Sequence, residues 1–280
     1  MIESQSGNQI EGQKRRYWAG VGFRVREGMK MHQATGQLGK GPDSWRNVTE
    51  HCLVQVARSE VLSRLVGLPE DLVEDMRMGA ILHDFHKKHE ITATRQANEN
   101  GTSPLAAVRS EQKKSEDMLR AAGFSSRVIR LASSSGGYAP QLIETKRILD
   151  QEILSDEDLA YLICHYVDDC SVGSDWVRPK FTDGDGYRVN IIDYRAEENK
   201  AKITYVAIGK EIRKELGEKC PEFAGMDHHD VMAILSHRIE EILSPNIAQI
   251  MKRPVDPLEI PELVDQKIRE EIVKGEQLQK

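Results

Sequence analysis

The amino-acid sequence predicts an all-α protein, built as a helical bundle with additional helices at its C-terminal end. Apolar residues recur at intervals of three and four positions, the spacing that places them on one face of a helix. Leu72, Met76 and Ala80 show this spacing in one segment, and similar patterns occur along the chain. No segment shows the convincing apolar–polar alternation of a strand. Glycine and proline residues separate the helical segments, as at Gly67 and Pro69.

Three regions follow from these patterns. Residues 1–34 form an N-terminal segment that we expect to be partly disordered, because its start is polar and its weak helical pattern is interrupted by glycines. Residues 35–185 form the main helical domain. Residues 186–280 form a helical extension that we expect to pack on the same domain.

The first helices of the main domain are predicted from their start signals. Ser44 or Asn47 can cap the first helix, which ends before Gly67. Pro69 stands near the start of the second helix, with acidic residues in its first turn, and this helix ends at residues 83–84.

The rest of the chain continues the helical pattern. Further helices are predicted at residues 104–122, 125–131, 155–169, 190–216 and 229–243. Loops are predicted at residues 35–44 and 174–186, and four prolines between 245 and 261 are expected to punctuate a loop before a helix-prone tail.

Composition limits the function classes. The chain has 39 Lys and Arg against 45 Asp and Glu, a formal net charge of -6, which argues against nucleic acid as a partner. None of the four cysteines forms a C-x-x-C pair, which indicates reduced thiols and a cytoplasmic location. No signal-like segment and no apolar run of membrane-spanning length is found, so no membrane association is expected. A homo-oligomer remains open.

His83 and Asp84 stand side by side at the end of an apolar run. An imidazole nitrogen and a carboxylate oxygen suit a borderline or hard divalent ion. Partners can come from two other predicted helices, which carry His51 and the pair Asp168 and Asp169. Helical bundles build metal sites from inward-facing side chains on facing helices. Because a lone His-Asp pair is more often structural, the metal prediction depends on convergence of these helices.

At His51, His83–Asp84 and Asp168 the chain resembles the HD-domain family of metal-dependent phosphohydrolases, whose signature is H…HD…D. The resemblance covers about residues 45–177. It implies an HD-domain-like bundle in which these four residues bind one divalent ion, and the ion can be Mn, Fe, Co, Mg, Ni or Zn. It also implies cleavage of a phosphoester, in a nucleotide or a small phosphorylated metabolite, by a metal-activated water.

The resemblance also guides the neighbouring assignments. Neighbouring helical residues differ in direction by about 100°, so one of Asp168 and Asp169 faces the site. The run Tyr166-Val167-Asp168 is similar to an ending common in the family, and Asp168 is therefore preferred. Lys87 stands where many members carry a lysine, whereas His86 replaces the glycine of their HD-x-G-K run.

The basic segment after the pair supplies candidate substrate contacts. Lys87 and Lys88 offer positive charge to phosphoryl oxygens. His86 and His89 can donate hydrogen bonds or protons near neutral pH. We assign Asp84 and Lys87 as the catalytic residues, with solvated side chains on a turn as the alternative for the basic residues.

Ser134 and Ser135 are further candidates for substrate binding. They precede two glycines, a composition that presents backbone N–H groups to an anion but is also typical of a flexible turn.

The sequence leaves rival functions open. A catalytically reduced protein with this site would act as a nucleotide- or metabolite-binding regulatory module. A structural metal site fits less well, because closed zinc sites favour thiolates. No histidine occurs between His89 and His165, the interval from which two-metal members of the family usually draw ligands, so one ion per chain is predicted.

Overall fold

The structure is a computed structural model that describes residues 2–38, 45–171, 192, 196–197, 200 and 203–274. Within these residues the chain forms twelve α-helices and no strand, which confirms the predicted all-α class. The helices are α1 (Ile2–Arg24), α2 (Arg26–Ala34), α3 (Arg46–Val66), α4 (Glu70–Leu82), α5 (Lys87–Glu99), α6 (Pro104–Ala121), α7 (Ser126–Ala132), α8 (Ala139–Leu149), α9 (Asp156–Asp169), α10 (Ile203–Lys219), α11 (His228–Met251) and α12 (Ile260–Lys274). None of the described helices combines the length and the apolar character that a membrane crossing requires.

Some predicted segments cannot be compared with the structure. The predicted loop at 174–186, residues 39–44 of the first predicted loop and most of the first part of the predicted helix at 190–216 lie outside the described residues.

Several helices begin at the predicted polar caps. The hydroxyl of Ser103 accepts from the backbone N–H of Ala106 at the start of α6, and Ser125 caps α7 in the same way. Ser155 and Asp158 form a capping box at the start of α9. These caps satisfy N–H groups that have no partner inside the helix.

Helix α3 lies at the centre of the bundle, where α4, α9, α11 and α12 pack against it. Its buried polar residues are paired with neighbouring helices. Arg58 lies 3.1 Å from Asp265 of α12. Glu60 lies 2.9 Å from Arg24 of α1 and 3.1 Å from Arg77 of α4. Because an unpaired buried charge costs several kcal/mol, about 3–5, these pairs fix α3 against its neighbours.

Helix α4 passes very close to α7. A Cβ atom at Gly79 would lie 2.7 Å from the Cβ of Leu131 and 3.2 Å from the backbone N of Ala132. Close-packed interiors leave no room for an added carbon at such distances. The absence of a side chain at Gly79 therefore allows the contact that fixes the last turn of α4, directly before His83.

The partial disorder expected for the N-terminal segment stays a prediction, but part of this segment belongs to the core. Residues 2–24 are helical, and Tyr17, Val21 and Val25 lie in the core. These three residues recur every fourth position and form a stripe that packs on the bundle, which outweighs the glycines of the segment. Helix α1 packs against α3 and α12.

The C-terminal helices also extend further than predicted. Helix α11 runs from His228 to Met251 and contains Pro245, which the sequence pattern assigned to a loop. A proline inside a helix costs about 3 kcal/mol. Leu243 and Ile247 on either side of it are fully buried, so packing favours continuation of the helix. Helix α11 packs against α3, α8 and α9.

Candidate metal centre

His83 presents an unpaired nitrogen toward the predicted ligands. Its Nδ1 donates to the carbonyl of Ala80 at 2.8 Å, which leaves Nε2 as the lone-pair atom. This Nε2 is buried and has no hydrogen-bond partner within the described residues. It lies 3.6 Å from Oδ2 of Asp84. A buried acceptor without a donor is costly, and a cation between the imidazole and the carboxylate would satisfy it.

His51 and Asp168 approach His83 from α3 and α9. His51 Nε2 lies 3.3 Å from Asp168 Oδ1, and the His51 and His83 ring centroids are 5.5 Å apart. The donor atoms of His51, His83 and Asp168 all lie within 4.8 Å of one another. The buried amide of Gln55 lies 2.7 Å from both His51 Nε2 and Asp168 Oδ1 and holds them side by side. An ion on His51 Nε2 would replace that contact with the amide.

Asp84 lies between the ligands and a lysine. Its Oδ1 is 3.2 Å from Nζ of Lys87, which in turn is 4.0 Å from Glu90. Burial acts to raise the pKa of Asp84, but nearby positive charge, that of Lys87 foremost, outweighs it and lowers that pKa. Burial lowers the pKa of His83. The site therefore holds a neutral imidazole beside an ionised carboxylate, the protonation states that metal ligands require.

The two adjacent aspartates of α9 point in different directions. Asp168 lies beside His51, as described above. Asp169 accepts from the hydroxyl of Ser236 at 2.6 Å and lies 3.7 Å from Nε2 of His165. His165 is fully buried, and its Nδ1 donates to the carbonyl of Ser134 at 2.9 Å. It is therefore a hydrogen-bonded residue of the core.

A cavity of about 80 Å³ opens beside the ligands. Its polar lining consists of His51, Asp84, Lys87, Asp168, His228 and His229. The rest of the lining consists of Gly136, Gly137, Tyr138, Ile208, Ile212 and Met232. The ligands from α3, α4 and α9 thus occupy one side of a small space that α10 and α11 close on the other.

Side chains near the C-terminal end of α2 support the turn that carries the ligand pair. Burial lowers the pKa of His32 to about 4, so the ring is neutral and its Nε2–H donates to the carbonyl of Ile81 at 2.6 Å. The hydroxyl of Thr35 donates to the carbonyl of Phe85 at 2.6 Å, and the Gln37 amide donates to the carbonyl of Asp84 at 3.1 Å. The Ile81 carbonyl belongs to the last turn of α4, where carbonyls lack partners inside the helix, and the other two carbonyls belong to the turn that follows.

His86 and His89 do not reach the cavity. His86 is turned away and its Nε2 lies 2.9 Å from Oε2 of Glu111 on α6, while its ring stacks on His89 at 4.5 Å. The sequence placed both imidazoles beside the substrate. The turn after α4 instead directs them toward α6, where the carboxylate of Glu111 offers a partner. They form a second group of potential metal ligands with Glu111.

Lys88, Ser134 and Ser135 also lie outside the cavity lining. The Lys88 ammonium lies beside Gly36, since it would be 3.9 Å from a Cβ there. The Ser134 hydroxyl donates to the carbonyl of Leu131 at 2.7 Å, and the Ser135 hydroxyl donates to the carbonyl of Cys164 at 3.2 Å. The serine hydroxyls are used to hold the turn, and the glycines that follow them line the cavity.

Two features of the site were missed from the sequence. Gln55 has no motif of its own, although it lies one helical turn after His51 and shares its face. His228 and His229 form an adjacent pair directly after Asp227, which is a helix-start signal. This adjacent pair could have been recognised in the sequence as a candidate for the site. Nothing in the sequence indicated that α11 would bring this pair to the ligands of α3, α4 and α9.

Comparison with models of protein families, with curated proteins and with solved structures finds no match for this chain. The candidate site is therefore characterised by its donor atoms. Two imidazoles and two carboxylates form a mixed nitrogen and oxygen set, which suits a borderline or hard divalent ion and lacks the thiolates of most structural zinc sites.

Proposed function

We propose that this protein is a metal-dependent phosphohydrolase that cleaves the phosphoester of a nucleotide or a small phosphorylated metabolite with a metal-activated water. The observation that carries the proposal is the buried, unpartnered Nε2 of His83 beside the carboxylate of Asp84. The H…HD…D resemblance supplies the reaction class, and the adjoining cavity provides space for a phosphoryl group next to the ligands.

His51, His83, Asp84 and Asp168 would hold one divalent ion. When bound, the ion neutralises phosphoryl charge and lowers the pKa of a coordinated water. Asp84 has two roles, because one of its oxygens faces His83 and the other faces the Lys87 ammonium.

Lys87 lines the cavity together with Asp84. Its ammonium offers a point charge to the non-bridging or leaving oxygen of a phosphoester, where negative charge grows as the P–O bond breaks. Asp84 and Lys87 are therefore the catalytic residues of the proposal.

Metal content is the first test. We expect the purified protein to contain a divalent metal by elemental analysis, and His83→Ala and Asp84→Ala each to lower that content. His237→Ala is the matched control, because His237 contacts Glu240 and does not line the cavity. Unchanged metal in both ligand variants would overturn the proposed site.

Turnover is the second test. The protein should hydrolyse a chromogenic phosphoester when Mn²⁺, Co²⁺ or Mg²⁺ is added, and a chelator should stop the reaction. Metal binding together with binding of nucleotides or metabolites, but without turnover of any phosphoester, would favour the regulatory module instead.

A further inference from the structure

The start of α11 forms the wall of the cavity opposite the proposed metal ligands. His228 and His229 are the first two residues of this helix, and both line the cavity. They lie far beyond residues 45–177, where the H…HD…D resemblance ends. Both imidazoles are almost fully buried.

Asp227 fixes this end of the helix. Its Oδ1 accepts from the backbone N–H of His229 at 3.0 Å and lies 2.9 Å from the Nδ1 of the same residue. Its Oδ2 lies 3.5 Å from the guanidinium of Arg213 on α10. The carboxylate therefore serves as the helix cap and is partly balanced by an arginine, which limits its repulsion of an anion in the cavity.

The side chain of His228 is 2 % exposed, and its Nδ1 lies 3.6 Å from Oδ1 of Asp227. This Nδ1 makes no hydrogen bond within the part of the chain that the structure describes. The ring is packed tightly, since its Cε1 would lie 3.2 Å from a Cβ at Gly209 of α10. Burial and the neighbouring His229 lower the pKa of His228 to about 4. A neutral imidazole at this position has one N–H to donate and one lone pair.

An anion fits this wall better than a second cation. Asp227, His228 and His229 place donor atoms within 4.8 Å of one another, as metal ligands do. However, the amino-terminal end of a helix carries about half a positive charge, which repels a cation and attracts an anion. The one carboxylate of the group already caps the helix. Lys87 adds a positive charge to the same cavity.

The size of the cavity limits what can enter. Pockets that enclose a whole drug-sized ligand measure about 300–1,000 Å³. A cavity of about 80 Å³ holds several water molecules or one tetrahedral oxyanion, and excludes a nucleoside.

We infer that His228, His229 and Lys87 form an oxyanion site that receives one terminal phosphoryl group, so that the substrate is a phosphomonoester whose organic part stays outside the cavity. This inference rests on the proposed function, because the phosphoryl group would lie between this wall and the metal ligands. It names a substrate class and a binding wall that the ligand signature does not provide.

Inorganic phosphate is the probe for the site. Calorimetric titration of the Mn²⁺-loaded protein should show phosphate binding, and His228→Ala should weaken it by about tenfold or more, as expected for loss of a buried hydrogen bond to a charged group. His228→Asn and His228→Gln place an amide N–H near the positions of Nδ1 and Nε2 respectively, so one of the two should retain more of the affinity and identify the donor atom. His237→Ala is the control on the same helix, since His237 contacts Glu240 and does not line the cavity.

Several outcomes would overturn the inference. Equal phosphate affinity in His228→Ala and His237→Ala would do so, as would an absence of phosphate binding to the metal-loaded wild type. A second tight metal site that His228→Ala removes would show that the group binds a cation. If His228→Ala fails to fold, the comparison of the Asn and Gln variants decides, and equal affinities there count against the site.

The substrate class has its own test. A chromogenic phosphomonoester should be hydrolysed faster than the diester with the same leaving group, and a faster diester would contradict the size argument. Failure of the proposed function would appear separately, as absent bound metal and absent turnover, whereas failure of this inference would leave both present with phosphate affinity independent of His228.

Discussion

Single hydrogen bonds decide the roles of the residues around the centre. The Ala80 carbonyl fixes the proton of His83 on Nδ1 and thereby makes Nε2 a ligand atom. Hydrogen bonds also hold other residues away from the site. The Glu111 carboxylate holds His86, and two backbone carbonyls hold the hydroxyls of Ser134 and Ser135.

Lys87→Ala should lower kcat/KM for a phosphoester by about 10- to 100-fold while bound metal is retained, because the ammonium contacts Asp84 and faces the cavity but is not itself a ligand. Lys88→Ala is the matched control, since this neighbouring lysine does not line the cavity. Steady-state kinetics with elemental analysis of each variant measures both effects. Equal kinetics in the two variants would indicate that Lys87 has no role in catalysis.

Glu90→Gln should stabilise the protein at alkaline pH. Burial raises the pKa of Glu90 to about 7, from an ordinary value of 4.5. Between these values the folded chain holds a proton that the unfolded chain has released, so stability falls as pH rises through this window and stays low above it. The amide cannot ionise, and the gain should reach about 3 kcal/mol at most above pH 7 and vanish below pH 4.5.

Urea unfolding of wild type and Glu90→Gln at pH 4.5 and pH 8 checks this prediction. An equal difference in unfolding free energy at the two pH values would show that Glu90 does not titrate in this window.

The residues of the site show how much of it could be predicted from the sequence. The ligand atoms of His51, His83 and Asp168 lie within 4.8 Å of one another and Asp84 lies beside His83, because helical periodicity places these residues on inward faces. Their role as metal ligands stays a prediction. The direction of a turn has no periodicity, so the sequence could not show that His86 and His89 point toward α6. Contacts between distant helices, such as those of His228 and His229 with the cavity, depend on tertiary packing that local patterns do not encode.

At the scale of elements, the centre depends on how one helix ends. Three carbonyls at the end of α4 and in the turn after it accept from His32, Thr35 and Gln37, which lie at the C-terminal end of α2 and just beyond it. Residues at the end of α2 and just after it thus position the ligand pair. Sequence patterns predicted most helices of the main domain, since caps and periodicity are local. They did not predict that His32, Thr35 and Gln37 would support the turn after α4.

Thr35→Val should destabilise the fold by about 1 kcal/mol and weaken metal retention, because an isosteric methyl group cannot donate to the buried carbonyl of Phe85. Thr92→Val is the control, since the Thr92 hydroxyl is exposed and donates within its own helix. Urea denaturation gives the stability, and dialysis followed by elemental analysis gives the retained metal. Equal losses in both variants would argue against a supporting role for Thr35.

At the scale of the whole molecule, we predict one tightly bound metal per chain. Two-metal sites hold their ions about 3.5–4 Å apart with bridging ligands. Within the described residues, the other two groups of potential ligands are already engaged, one by the contacts of Glu111 with His86 and Lys114 and the other at a helix start. Mn²⁺ titration followed by elemental analysis should give a ratio close to one.

Two tight sites in that titration would contradict the prediction. His86→Ala and His228→Ala then identify the second site, because each removes an imidazole from one of the two other groups.

The support of the α4 turn by residues 32–37 has a consequence for how the chain can be divided. A fragment limited to residues 45–171 would contain every proposed metal ligand, yet it would lack the donors that hold their turn and the histidine wall that faces them. The geometry of the metal centre therefore depends on residues outside this fragment. Grafting or exchanging the ligand-bearing helices alone would transfer the ligands without the geometry that makes them a site.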